Sequence, residues 1–268
     1  MRFRTVDEAY KALCEKLATA PVVGNTRELN NVKIEIDDVT NSIVSIRNTS
    51  LTYLLGEFLW YFNGSQSMEY ITKYSSFWKH ISDDGVTSNS AYGYLLMHKH
   101  GFNQIEKIIE LLTVDPNSRR AVININVPNV RVIETKDEPC TIALQFLNRD
   151  GKLHCTAIMR SNDIWFGTPY DWAFFIELQK VIADRLGLEY GTYTHFATSF
   201  HVYERNMAEI NAIAEADLET LTTNIVFDRD RFHAEKEELF ANTVNEDSAT
   251  AKSILIDTGI IKIVEANK

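Results

Sequence analysis

No run of this chain is apolar, long and uninterrupted enough to cross a bilayer as a helix, so a membrane-spanning role is not expected. Positive charge is also scarce. The 27 Lys and Arg are outnumbered by 37 Asp and Glu, leaving a formal net charge of −10. That balance removes the counterion-driven attraction on which nonspecific nucleic-acid binding depends, so no direct nucleic-acid partner is expected and any phosphate ligand must be held by a few local cations. Cysteine is rare: Cys14, Cys140 and Cys155 form no CxxC pair and are odd in number, against both a disulfide framework and a zinc site. No metal is expected. The opening MRFRTVDEAYK lacks the apolar core of a secretory signal, and the expected location is a cytoplasm. No internal repeat or low-complexity linker divides the chain, which reads as a single domain over residues 1–268.

What is present is an ordinary globular composition, 45% apolar and 24% charged. Thr5 and Glu8 have capping-box spacing, and Val6, Ala9, Tyr10, Leu13 and Leu17 recur at helical intervals. Cys14 lies on or beside that stripe as a small hydrophobe. A polar break holds Arg27, a loop cation able to meet an anion or simply to be solvated. Val32, Ile34 and Ile36 alternate as a strand, with Ile43 to Arg47 as its expected antiparallel partner. Leu51 to Phe62 is apolar nearly all round and predicts a buried helix ended by Asn63-Gly64. Its one charge, Glu57, is therefore either at a wet edge or placed for proton chemistry. From Met68 to Gly101 the pattern loses period and carries Trp78, Tyr92 and Tyr94, as a pocket-lining loop would. His98 and His100 have no partner at ligand spacing. A helix is predicted from Phe102 to Leu112, closed before Pro116.

In DPNSRRAVININV a turn leads to a strand with Ala121, Ile123, Ile125 and Val127 on one face. Arg119 and Arg120 at its start suit phosphate or solvent equally. A hairpin follows about Asp150-Gly151. Cys140 opens its first strand after Pro139 and is the candidate nucleophile if a guanidinium lowers its pKa. Arg160, at the hairpin's far end, is placed to supply one. Cys155 falls among core-facing positions. The stretch MRSNDIWFGTPYDWAFF is a polar loop between a strand and a helix, the kind that touches a ligand or merely turns at the surface. Asp171 lies in the first turn of the long helix Tyr170 to Leu186, where the dipole favours a carboxylate. The strand TYTHFATSFHVY places His195, Ala197, Ser199, His201 and Tyr203 on one face. Beyond a helix ending near Thr222, an acidic, polar segment and a short strand from Gly259 to Val264 offer no chemistry.

The motifs LLGEFLWYFNG, SAYG, DPNSRR, PC…QF, GKLHC, MRSND, FG.PYD and FHVY, in that order from about Leu54 to Tyr203, resemble the thymidylate synthase superfamily. The resemblance implies an α/β fold of α+β type: a twisted, mostly antiparallel sheet with helices on one face and a dimer interface on the other. It implies Cys140 as the nucleophile at C6 of a pyrimidine nucleotide. Arg27, Arg160 and Ser161 would bind the 5′-phosphate, with Arg119 and Arg120 reaching in from the second copy of a homodimer. His201 and Tyr203 would hold the sugar hydroxyl, and Glu57 would run a proton relay. Asp163 would touch 5,10-methylenetetrahydrofolate, with Gly167, Trp78 and Tyr92 in the pocket lining.

Two departures point within the superfamily. Where the synthases carry Asn, this chain has Asp171, and a protonated carboxyl can accept from N4–H of cytosine while donating to N3. After the nucleophile stands Thr141 rather than His. With MRSND, this pair resembles the phage-type deoxycytidylate hydroxymethylases, which join water rather than hydride to the transferred carbon of dCMP. A dCMP methylase, a CMP hydroxymethylase, a dUMP-using synthase, an inactive nucleotide- or RNA-binding protein and a cysteine hydrolase are the alternatives.

Overall fold

The structure, a computed structural model, describes residues 1–126 and 133–264. Val127, expected at the end of a strand face, and the terminal EANK lie outside the described residues. The chain divides into two compact units. One takes Met1–Asn48, described residues 104–126 and Cys140–Thr222; the other takes Thr49–Asn103 and described residues 133–139 and 223–264.

The first unit is built on a sheet that, among the described residues, has seven strands: β1 (Arg2–Phe3), β2 (Val22–Val23), β3 (Thr26–Ile36), β4 (Val122–Asn124), β5 (Thr141–Arg149), β6 (Lys152–Asp163) and β7 (Glu189–Tyr203). They run in the order β1-β3-β7-β6-β5-β4, with β2 beside β3. The β1–β3 and β6–β7 pairs are parallel and the rest antiparallel, so the sheet is mixed with an antiparallel majority. The β5–β6 hairpin turns where expected: Asp150 and Gly151 both have positive φ (52° and 76°), the pairing a two-residue turn of primed type requires.

Helix Val6–Ala18 begins at Thr5 with both halves of the capping box in place. Its Asp7 explains why Ile43 to Arg47 is not the strand that alternation predicts. The buried Asp7 carboxylate accepts from Ser45 N–H (2.7 Å), Ser45 Oγ (2.6 Å) and Ile46 N–H (3.4 Å), taking the backbone groups that a ladder would have used. The neighbour that β3 needs is β7, in register from Thr26↔Tyr203 to Ile36↔Tyr193. Arg27 thus sits within β3 rather than in a loop. Helix Thr168–Leu186 starts after a four-residue, largely apolar turn, residues 164–167, that follows β6; it has Pro169 in its first turn and stops at Gly187 with φ 66°.

The second unit centres on helix Leu51–Phe62, capped by Ser50, with residues 54 to 61 all buried. Met68 to Gly101, expected as a loop, holds three short helices, Met68–Ile71, Phe77–Ile81 and Tyr92–Met97. Gly93 is needed there, because a Cβ would fall 1.9 Å from the Tyr61 carbonyl oxygen. The polar segment after Thr223 is also not irregular. It forms strand β8 (Ile225–Phe227), helices Arg229–Val244 and Ser248–Asp257, and strand β9 (Ile261–Ile263) paired with β8. Phe232 of this segment packs its ring against Phe58, Phe62 and Phe227. Few apolar positions were enough because each is large and lands on an aromatic cluster.

Candidate active site

Cys140 stands half-buried just before β5. Its carbonyl accepts from the Arg160 backbone N–H at 2.9 Å, fixing the two residues side by side, and Arg160 Nη2 then lies 3.6 Å from the Cys140 sulfur. A cation at that distance favours thiolate over thiol. Cys14 and Cys155 are fully buried, and burial pushes both thiols well up. They are small core hydrophobes, as their positions suggested.

β6 and β7 change their buried face at the same level. In β6 the buried positions pass from Cys155, Ala157 and Met159 to Asn162, and in β7 from Tyr193, His195 and Ala197 to Phe200 and Val202. The register between the strands holds through this level, with Met159↔Ala197, Ser161↔Ser199 and Asn162↔Phe200. The expected single face from His195 to Tyr203 is therefore split, with His195 turned into the core and His201 and Tyr203 half-exposed. Strict alternation does not reveal such a switch, because it assumes one packed face for the whole strand.

Beyond the switch four predicted residues gather. Ser161 Oγ lies 3.5 Å from His201 Nδ1, and the His201 and Tyr203 rings meet edge to face at 5.6 Å. Burial lowers the His201 pKa and raises that of Asp163, each opposed by the other's charge. Asp163 Oδ1 accepts from Trp165 N–H (2.7 Å) and Phe166 N–H (3.4 Å), and the Phe166 ring beside it is half exposed. The Arg205 guanidinium lies over that ring, 5.5 Å from its centroid.

Asp171, half-buried, ends a linked group of five polar side chains whose other members, Asn162, Thr168, His195 and Tyr193, are buried. Its Oδ2 accepts from Asn162 Nδ2 at 2.8 Å. Asn162 Oδ1 accepts from Thr168 Oγ1 (2.6 Å) and lies 3.1 Å from His195 Nε2, while His195 Nδ1 lies 3.0 Å from Tyr193 OH. Burial pushes His195 down to about 3, so it is neutral, with its proton on Nε2 and Nδ1 accepting from the phenol. Burial, aided by the charge of Asp163 and opposed by Asn162, pushes Asp171 up to about 7. Its carboxyl is thus protonated in part at neutral pH, when an ordinary Asp would be fully ionised. Gly167 has a steric reason: a Cβ there would come within 3.0 Å of Asn162 Nδ2 and 3.1 Å of Asp171 Oδ2.

The remaining arginines stand apart from that cluster's bonds. Arg27 is held by Glu204 (3.0 Å) and by the Ala18 carbonyl (2.9 Å). Arg119 and Arg120 are exposed before β4, Arg120 facing Asp115 at 3.6 Å. In the second unit, Glu57 is 4% exposed. Its Oε1 accepts from Tyr53 OH (2.6 Å) and Tyr61 OH (3.4 Å), and Tyr53 in turn accepts from Trp78 Nε1 (3.1 Å). Tyr92 stacks on Tyr61 at 5.4 Å.

The residues that sequence reasoning missed are Asn162, Thr168 and Tyr53. Asn162 sits inside a quoted motif, but its partners come from β7 and the following helix, and no spacing rule joins three such elements. Tyr53 was visible in principle, four residues before Glu57 on one helix face.

A family model described as thymidylate synthase matches residues 21–241. The chain belongs to the thymidylate synthase family, whose enzymes use methylenetetrahydrofolate. Within it, the chain is similar to two proteins named deoxyuridylate hydroxymethyltransferase. That of Bacillus phage SP01 is 30% identical over 199 residues, 69% of this chain and 52% of that protein. That of Pseudomonas phage M6 is 29% identical over 179 residues, 66% of this chain and 51% of that protein. A putative thymidylate synthase of Methanocaldococcus jannaschii is 44% identical over 105 residues, 38% of this chain and 47% of that protein. The chain spans about half the length of these relatives. Among the described residues no helix is long and apolar enough to cross a membrane.

Proposed function

We propose that the protein is a folate-dependent dCMP 5-hydroxymethyltransferase, converting dCMP, 5,10-methylenetetrahydrofolate and water to 5-hydroxymethyl-dCMP and tetrahydrofolate. The observation that carries the substrate is Asp171, a carboxyl raised to about 7 in the position that faces the base in this family. Cytosine offers N4–H and an N3 lone pair, and a protonated carboxyl answers both, accepting with one oxygen and donating with the other.

Cys140, as the thiolate beside Arg160, adds to C6 and makes C5 nucleophilic. Arg160 and Ser161 bind the 5′-phosphate, His201 and Tyr203 the sugar hydroxyl, and Asp163, with Gly167 near it, the pterin; Trp78 is assigned to the folate on the family resemblance alone. The folate supplies one carbon at the oxidation level of formaldehyde. Glu57 enters on the family resemblance as the group that holds the water and moves its proton. Arg27 joins the phosphate set only by releasing Glu204. Arg119 and Arg120, both exposed, with Arg120 making only a long ion pair to Asp115 and a 3.4 Å bond to Ser118 among the described residues, suit donation to the site of a second copy in a homodimer. A virus-encoded enzyme acting in a host cytoplasm, serving DNA modification, is consistent with the phage relatives.

The names of those relatives favour a second reading, hydroxymethylation of dUMP. Incubation with dCMP, CMP or dUMP and the folate, followed by mass analysis of nucleotide and folate, separates the readings. 5-Hydroxymethyl-dCMP with tetrahydrofolate is expected. Turnover of dUMP alone refutes the base assignment, and dihydrofolate refutes hydration.

A further inference from the structure

Asn162 is 2% exposed, and its orientation is set from the far side. Thr168 and His195, both fully buried, meet its carbonyl oxygen, at 2.6 and 3.1 Å, and its amide nitrogen faces Asp171 at 2.8 Å. An unconstrained carboxyl can put its proton on either oxygen. It would then match cytosine, with an acceptor at N3 beside a donor at N4, or uracil, with a donor at N3 beside an acceptor at O4, simply by exchanging the roles of its oxygens. A neighbour that donates to one oxygen removes that freedom.

We propose that Asn162 is a positioning residue for base selection: its N–H fixes Oδ2 of Asp171 as an acceptor and leaves Oδ1 to carry the carboxyl proton. This rests on the reading that Asp171 meets the base edge. The chain Tyr193, His195, Asn162, Asp171 then has one polarity from the core outward, and a base held in one pose by Cys140 and the sugar contacts meets a fixed acceptor and a fixed donor. Exchange of cytosine for uracil in that pose turns both contacts into like-facing pairs, which leave buried groups unsatisfied. Gly167 completes the arrangement by keeping its side of the pair clear.

The test is Asn162→Asp, which keeps the shape and replaces the donor facing Asp171 by an acceptor. KM and kcat are measured separately for dCMP and dUMP, and binding of each nucleotide by titration calorimetry. The expected result is a rise of about tenfold or more in KM and Kd for dCMP, with dUMP changed less than about threefold and kcat for dCMP changed less than KM. Thr168→Val, which removes one of the two contacts on the Asn162 carbonyl, is expected to move the ratio in the same direction by a smaller factor, and it serves if the first variant does not fold. Equal losses for both nucleotides, or a lowered Tm with the ratio unchanged, overturn the role of Asn162. Wild-type protein that takes dUMP and not dCMP refutes the proposed substrate instead; a wild-type preference for dCMP that survives both variants overturns this inference alone.

Discussion

The guanidinium of Arg160 lies 3.6 Å from the sulfur of Cys140, and a backbone hydrogen bond of 2.9 Å joins the same two residues. The backbone bond sets the two residues side by side, and a guanidinium beside the sulfur favours the thiolate over the thiol. Replacing Cys140 by Ser should therefore abolish turnover, by on the order of 10⁴-fold or more, while dCMP still binds. Parallel turnover and calorimetry check this; a variant retaining a few per cent of activity would exclude Cys140 as nucleophile. Arg160→Lys, which withdraws the planar guanidinium from the sulfur, should slow alkylation of Cys140 at neutral pH.

Desolvation within the fold pushes the Asp171 carboxyl up to about 7. In the proposed reading the protonated form donates to N3 of cytosine, so dCMP affinity should be high below about pH 7 and fall as pH rises through it. Stability has the same sign. The folded pKa lies above the unfolded value of about 3.9, so this group's contribution is complete below about pH 4 and is lost as pH rises towards 7. Asp171→Asn should remove both slopes, checked by dCMP titrations and urea unfolding across that range. An affinity that rises with pH in the wild type alone would contradict the role of the protonated carboxyl.

Asp7 pins the segment that does not become a strand. Asp7→Ala leaves the Ser45 and Ile46 groups without their buried acceptor and should cost about 2–3 kcal/mol of stability. Urea denaturation measures it. A change below about 0.5 kcal/mol would mean that solvent takes over those groups.

The Tyr53 hydroxyl gives Glu57 its shortest described hydrogen bond, 2.6 Å. Tyr53→Phe removes a bond to this buried carboxyl and should lower kcat by about tenfold or more, with KM for dCMP little changed. An unaltered kcat would separate Tyr53 from the proton chemistry assigned to Glu57.

Much of this was legible in the sequence. The capping box at Thr5, the helix from Leu51 to Phe62 and the Asp150-Gly151 hairpin are local patterns, and local physics determines them. Cys140 could be chosen over Cys14 and Cys155 because it alone opened a strand next to a turn. What escaped was tertiary. Asp7 diverts residues 43–47 from a sheet through bonds 38 residues away in sequence. The shared change of buried face in β6 and β7 sends His195 inward and brings Asn162 beside it, although alternation put His195 with His201. The C-terminal helices were hidden because a few large rings, Phe232 above all, do the packing that a longer apolar stripe would have announced.

The central claim, that Asp171 selects cytosine, is tested most directly by competition. Wild-type protein and Asp171→Asn are each given equal concentrations of dCMP and dUMP with 5,10-methylenetetrahydrofolate, and the two nucleotide products are counted by mass. A hydrogen-bond mismatch of about 1–3 kcal/mol predicts that wild type favours dCMP by roughly 5- to 150-fold and that the variant reverses the preference. A wild-type preference for dUMP, or a ratio that Asp171→Asn leaves unchanged, would contradict the account.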